Sequence, residues 1–420
     1  MRAWAAGTFR SLKVYNYRLW AAGSLVSNIG TWMQRIAQDW LVLTELTRHS
    51  AAQVGIVTGL QFGPQLLFLP WTGVAADIFN QRKLMLITQS VMGLLAITLG
   101  LMTLGGAIQL WQVYIFAFAL GTAAAFDAPA RQTFVAQMVG EDDLTNAVAL
   151  NSMTFNGARM VGPAAAGLLI GSVGTGWAFL LNGFSYFAVV VSLVMLRTSA
   201  LHPTQRARLI RGSFAEGLRY VWGRTDLVAM LVMLFLIGTF GMNFAIYTST
   251  MAVRIFHSDA SGYGMLSSMM AVGTITGAII AAGRARSTFA QMIISTAAFG
   301  LGCTFAALAP SYWLFGAALV MIGIASLSFL NSCNSLMQLS TEPSMRGRVI
   351  AIHMAIVMGG TPLGAPLVGW VADRFGPRQA LAVGAVSAFL AALVGLVYWL
   401  RHGEAPRQRP MPLVPGAAPE

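Results

Sequence analysis

Twelve stretches of this chain are each long and apolar enough to cross a lipid bilayer. No other feature constrains its architecture so tightly. A helix spanning the hydrocarbon core needs roughly 20 apolar residues. The candidates are 18–45, 51–76, 84–105, 110–138, 147–172 and 176–196, then 227–256, 261–283, 289–309, 311–338, 349–372 and 379–400. In lipid, every backbone N–H and C=O must be bonded inside the protein, so each stretch is predicted to be helical. Composition agrees. The chain is 56% hydrophobic and 10% charged, whereas ordinary globular chains hold about 25% charged residues, and a soluble fold could not bury so much apolar surface. No short charged-then-apolar leader with a small-residue cleavage site is visible, so the first span is expected to stay in the mature protein. Cys303 and Cys333 both sit in apolar spans and read as inert core thiols rather than a disulfide or metal pair.

The spans divide into two sets of six. The expected domains are an N-terminal bundle, 1–196, a central loop, 197–226, a C-terminal bundle, 227–400, and a tail, 401–420. The central loop is the one long polar stretch. Its "SFAE" from Ser213 to Glu216 is a capping-box pattern, followed by Phe214, Leu218 and Val221 at helical spacing. A short helix lying at the membrane surface is predicted. The net charge of +12 reads as topology rather than as a nucleic-acid footprint. Arg and Lys gather in the N-terminal arm, the 2–3, central, 8–9 and 10–11 loops and the tail, while Arg48, Arg254, Arg374 and Arg378 stand alone on the other side. The positive-inside rule then puts both termini in the cytoplasm.

The halves repeat. A shift of 202 residues carries Gly121 onto Gly323, Gly157 onto Gly359, Gly162 onto Gly364, Gly167 onto Gly369 and Gly174 onto Gly376. The block from the fourth to the fifth span thus recurs from the tenth to the eleventh. Both copies enter the membrane in the same sense, which implies two pseudo-symmetric six-helix bundles about an axis along the membrane normal. The expected fold class is an all-α integral membrane protein of twelve transmembrane helices in two such bundles.

The loop between spans 2 and 3 reads "GVAADIFNQRK". It resembles the signature loop of the major facilitator superfamily, Gly-x-x-x-Asp-Arg-x-Gly-Arg-Arg. Gly73, Asp77 and Arg82 match, while Ile78, Asn80 and Gln81 depart from the pattern. Gly73 would let two helices approach closely, Asp77 would meet the positive end of a neighbouring helix, and Arg82 with Lys83 would face anionic headgroups. In that family the loop latches the halves together on the cytoplasmic side. The equivalent "GRARS", 283–287, has no acid. Further stretches, among them "SNIGTWMQRIAQDWLVLTELT", "FDAPARQTFV", "NAVALNSMTFNGARMVGPAAAG" and "GAPLVGWVADRFGPRQAL", resemble the enterobactin-exporter-like, or transmembrane secretion effector, branch over about residues 10–400. "GPAAAG", with Gly162 and Pro163, partly matches the fifth-helix motif common in antiporters, which points to export. Gly364 and Pro366 are the second-half packing residues.

The charges inside spans carry the chemistry. Arg35 with Asp39 and Asp127 with Arg131 are both i, i+4 pairs, each sharing one helix face. Asn28, Trp32, Arg35 and Asp39 form one stripe, and Arg159 lies on another with Ser152 and Asn156. A charge at bilayer depth costs at least about 2.5–3.5 kcal/mol, so these residues are expected to face the bundle interior or a wet cavity. The superfamily resemblance implies a cavity lined by helices 1, 4, 7 and 10. That makes Asn28, Trp32, Asn243, Tyr247, Asn331, Asn334 and Gln338 its candidate lining, with Ser335 beside them and His353 a packed polar residue. Asp127 and Asp39 are the candidate proton-coupling acids, with Arg131, Arg35 and Arg159 as charge partners. Burial raises a carboxyl's proton affinity and a nearby Arg lowers it, so rearranging that balance turns proton binding into motion.

No nucleotide-binding loop, catalytic triad or metal-spaced His/Cys cluster is present in the sequence. The expectation is a transporter rather than an enzyme: a monomer in the bacterial inner membrane that needs no cofactor and binds no nucleic acid. Its partners would be protons, the lipid bilayer and a small amphipathic substrate such as a siderophore or drug, exported by antiport. Two alternatives stay open, a lipid or lysolipid translocator of the same fold and a non-transporting receptor or scaffold.

Overall fold

The computed structural model describes residues 9–202, 214–283 and 287–403. Helix α1 is Tyr15–Trp40, widening into a π-turn over Leu41–Leu46. Helix α2 is Ala51–Leu67, resumed as Leu69–Ile78 after a break at Phe68. Pro64 and Pro70 flank that break, and neither can donate to the helical ladder. Helix α3 is Gln81–Leu104. Leu110–Val173 runs on as one bonded segment, but Gly140 leaves helical geometry at φ 71°, so 110–139 is α4 and 141–173 is α5. Helix α6 is Thr175–Val194. Helix α7 comprises Thr225–Leu236 and Phe244–Thr250, with π-turns Ile237–Gly241 and Met251–Ile255. Then come α8 (Ala260–Ala282), α9 (Phe289–Leu308), α10 (Tyr312–Ser340), α11 (Arg346–Phe375) and α12 (Pro377–His402).

Nine segments among the described residues are long and apolar enough to span a membrane. Dividing α4 from α5, and adding the more polar α1 and the interrupted α2, gives the twelve helices. The sequence places a loop at 139–146, and here the structure differs. Gly140 makes the turn alone, because its positive φ costs a glycine little, and α5 begins at once. Asp142 and Asp143 sit in its first turn, where a helix favours negative charge. Arg10 pairs with Asp143, and Ser11 donates to the Asn146 amide oxygen, tying the N-terminal segment down. The short helix in the central stretch is present as Phe214–Trp222, joined to α11 by the Glu216–Arg348 ion pair at 3.2 Å. Ser213 of the capping-box pattern, Arg284 to Arg286 of "GRARS" and residues 404–420 lie outside the described residues.

The two halves use equivalent contacts. In the first, α3 and α1 pack on α6; in the second, α9 and α7 pack on α12. The repeated glycines fill matching roles. A Cβ on Gly121 (α4) would strike the Gln61 carbonyl of α2, and one on Gly323 (α10) would meet that of Met270 (α8) at 2.5 Å. Gly162 (α5) closes on Ile29 and Trp32 of α1, and Gly364 (α11) on Thr239 of α7. Gly174 and Gly376 make the α5–α6 and α11–α12 turns at φ 93° and 109°. Gly157 is the exception: no atom lies within 4 Å of where its Cβ would stand, whereas its counterpart Gly359 faces Leu66.

The bundles meet along two seams, α2 with α11 and α5 with α8. Along both, small residues bring backbones together near the face opposite the termini. A Cβ on Gly167 would lie 2.7 Å from the Ala260 carbonyl, and one on Gly369 would lie 2.5 Å from that of Ala51.

Candidate transport cavity

Between the bundles lies a cavity with about 880 Å³ of empty space, part of it open to solvent. Its wall is built by Trp32, Arg35 and Asp39 of α1, Gln61 and Phe62 of α2, Arg159 and Pro163 of α5, Phe244 of α7, Tyr263 and Met270 of α8 and Thr361 of α11, with further residues of α1, α2, α7 and α8. Helices 1 and 7 line it as expected, but α4 and α10 do not. The glycine-lined seams draw α2, α5, α8 and α11 inward, and these helices close over the space between α1 and α7.

The Arg35–Asp39 spacing does not produce an ion pair. The Arg35 guanidinium lies over Trp32, 4.6 Å from the ring centroid, and over Phe62 at 5.1 Å. Such cation–π contacts are worth about 0.5–2 kcal/mol. Arg159 lies over the same Trp32 ring at 5.3 Å. Asp39 instead accepts a hydrogen bond from the Tyr263 hydroxyl at 2.9 Å, and Tyr263 stacks on Trp40. That bond joins the two bundles. Arg35 also borders a smaller polar cavity inside the first bundle, beside Gln34, Gln38, Gln61 and Tyr186.

Asp127 and Arg131 do form their pair. Arg131 donates twice to Oδ2, at 3.1 and 2.9 Å. The Thr88 hydroxyl and Gln89 amide of α3 donate to Oδ1 at 2.7 and 2.9 Å. This carboxylate is therefore held by four donors inside the first bundle and is not on the cavity wall.

Several expected lining residues lie elsewhere. Asn243 is buried, donates to the Thr239 carbonyl at 2.7 Å and faces Gly364 of α11. Tyr247 is buried against Gly384 of α12 and donates to the Phe240 carbonyl. The π-turn Ile237–Gly241 explains both, since its extra residue rotates the succeeding turn of helix away from the cavity face. Asn28 is half-buried one turn from Trp32, off the cavity wall. Asn331 and Gln338 are exposed, Gln338 donates to Asn334, and all three sit in the half of α10 nearer the termini, also off the wall. Asn156 donates to the Ser152 carbonyl, and His353 packs buried against Met337.

Within the 2–3 loop, no atom comes within 4 Å of where a Cβ on Gly73 would stand, so the close helix approach expected there is not made. The side chain of Asp77 lies outside the described residues. Arg82 donates to the Leu193 and Val194 carbonyls at 2.7 and 3.2 Å, capping α6. Pro366 packs at the α2 seam beside Gly55.

The opposite face holds contacts that sequence reasoning missed. The Asp373 carboxylate, from the end of α11, accepts the Ala51 and Ala52 amides at 2.8 and 2.9 Å and the Ser50 hydroxyl at 2.8 Å. It thus caps α2 from the other bundle. Arg254 donates to it at 2.5 Å and also to the His49 carbonyl. Arg378 caps α9 through the Ala307 and Ala309 carbonyls at 2.8 and 2.9 Å. The signal was legible: Gly369, Asp373 and Arg378 repeat the spacing of Gly73, Asp77 and Arg82.

Twelve helices in two equivalent bundles around a central cavity define a membrane transporter of the major facilitator type. The transmembrane secretion effector family model matches residues 6–417, and the chain belongs to that family. It is 25% identical to the staphyloferrin A transporter of Staphylococcus aureus over 382 residues, covering 89% of this chain and 94% of that one. It is 26% identical to the enterobactin exporter EntS of Citrobacter koseri over 393 residues, 90% of each chain. Among solved structures it is similar to an inward-facing, occupied bacterial homologue of the human lysosomal transporter Spinster (TM-score 0.73, 15% identity, 95% of this chain and 99% of that one). It is also similar to the nucleoside transporter NupG (TM-score 0.71, 14% identity, 91% and 99%). The protein is thus a multi-pass membrane transporter rather than an enzyme.

Proposed function

We propose that the chain exports a small amphipathic molecule of the siderophore class across the bacterial inner membrane in exchange for protons. The observation that carries this reading is the cavity between the bundles, bounded on one face by the Asp373 and Asp39–Tyr263 contacts. The names of the relatives support siderophore cargo and outward direction. The charge distribution along the sequence supports cytoplasmic termini, so the closed face would be the periplasmic one. The protein would act as a monomer, since the whole cavity is built within one chain.

Asp39 is the proposed proton site, in preference to Asp127. An ionised Asp39 accepts a charge-assisted bond from Tyr263 and holds the bundles together. Protonation weakens that bond and lets the face open. Asp127 is assigned a structural role, since its four donors are all internal to one bundle.

The test uses inside-out membrane vesicles with an acid interior. A radiolabelled catecholate or carboxylate siderophore should accumulate, and a protonophore should abolish accumulation. Uptake that persists with the protonophore and requires ATP would sink the antiport reading. Movement of a fluorescent lysolipid in place of the siderophore would make the protein a lipid translocator.

A further inference from the structure

Two cations and one acid stand on the cavity wall, and the acid is already bonded by Tyr263. Among the described residues neither Arg35 nor Arg159 makes an ion pair or a hydrogen bond. Each guanidinium rests on the face of Trp32, which occupies the ring's π-cloud and leaves the N–H donors free. An arginine anchored by stacking alone keeps a planar fork of donors, a geometry that matches carboxylate or catecholate oxygens. Like charges sharing one ring repel, and an anion between them removes that repulsion. The rest of the wall mixes apolar side chains, including Phe62, Phe244 and Met270, with uncharged polar ones such as Gln61, Thr248 and Ser267.

We propose that Arg35 and Arg159, aligned by Trp32, form an anion clamp that binds the carboxylate or catecholate oxygens of a substrate whose body packs on the cavity's aromatic residues. The clamp rests on reading this cavity as the transport site, but its test requires no transport. Purified protein in detergent is titrated with dansylglycine, an aromatic body carrying one carboxylate, and with the neutral dansylglycinamide, each followed by dansyl fluorescence. Dansylglycine should bind the wild type at least about tenfold more tightly than the amide. Arg35→Gln and Arg159→Gln should each lose about tenfold for dansylglycine and almost nothing for the amide, consistent with removal of a charge-assisted contact. Arg35→Lys and Arg159→Lys, which keep the charge, should recover part of that loss and serve wherever a glutamine variant does not fold. Equal affinity for the two probes, or dansylglycine binding that ignores both arginines, would overturn the clamp. If the clamp binds as described while inside-out vesicles accumulate nothing, the export reading falls and the site stands.

An independent observation carries a second inference. Asp373 bonds the start of α2 across the seam and receives Arg254 from the end of α7. We infer that this cluster is a latch holding the cavity shut on the face opposite the termini. Spin labels at Ala107→Cys and Pro310→Cys, both exposed in that face's 3–4 and 9–10 loops, report its opening by electron–electron distance measurement. Asp373→Asn should move population from the short-distance peak to a longer one, and Arg254→Gln should do the same to a smaller extent. An Asp373→Asn distribution that superimposes on the wild type would overturn the latch.

Discussion

Asp127–Arg131 and Arg35–Asp39 share the same i, i+4 spacing but make opposite structures. The first is a closed salt bridge reinforced by two donors from α3. The second is split: its arginine lies on two aromatic rings, and its acid bonds to the other bundle. Burial does not separate them, since Asp39 is 6% and Asp127 4% exposed. What separates them is the origin of their partners. Every partner of Asp127 comes from its own bundle and keeps its place when the bundles move as rigid bodies. Asp39 is bonded across the boundary between the bundles, which is why it, and not Asp127, is the proposed proton site.

The largest effect expected from this contrast is on folding. Arg131→Ala leaves a buried carboxylate without its charge partner and should cost about 3–5 kcal/mol, read as lost expression and a lowered melting temperature. Arg35→Ala removes stacking contacts worth about 0.5–2 kcal/mol and should yield a folded protein with impaired transport. Equal destabilisation by the two would erase the distinction. Next in size is coupling. Asp39→Asn should eliminate the dependence of vesicle uptake on the pH gradient, whereas Asp127→Asn should preserve it. The reverse result would return the proton to Asp127.

The two hydroxyl donors give a finer comparison. Tyr263→Phe removes the bond across the bundles and should alter the pH profile of transport. Thr88→Val removes a buried donor to Asp127 and should cost about 1–3 kcal/mol of stability without moving that profile. The smallest effect is expected from Arg131→Lys, which keeps the charge but gives up the two-pronged contact with Asp127. Roughly 1 kcal/mol of stability should be lost, with uptake unchanged, as a calorimetric scan and a vesicle assay would record.

The helices, their number and the internal repeat were legible in the sequence because each arises from local chemistry. Lipid forces apolar spans to be helical, and a glycine at a close crossing leaves the same mark in both halves. The family resemblance was legible for the same reason, carried by short motifs such as Gly73, Asp77 and Arg82. The 2–3 signature drew attention, yet its spacing recurs at Gly369, Asp373 and Arg378, and that copy bonds across the seam.

Only the tertiary structure decided which polar faces meet the cavity. The spacing of Arg35 and Asp39 puts them on one side of α1 but says nothing about the groups standing opposite, and Tyr263 and Trp32 proved stronger claimants than either was for the other. A single π-turn, Ile237–Gly241, rotated Asn243 and Tyr247 out of the cavity. Periodicity in a sequence fixes the angle between residues on one helix. The helix's rotation against its neighbours is set by packing between residues hundreds of positions apart, and that rotation chose Asp39 over Asp127 for the cavity wall.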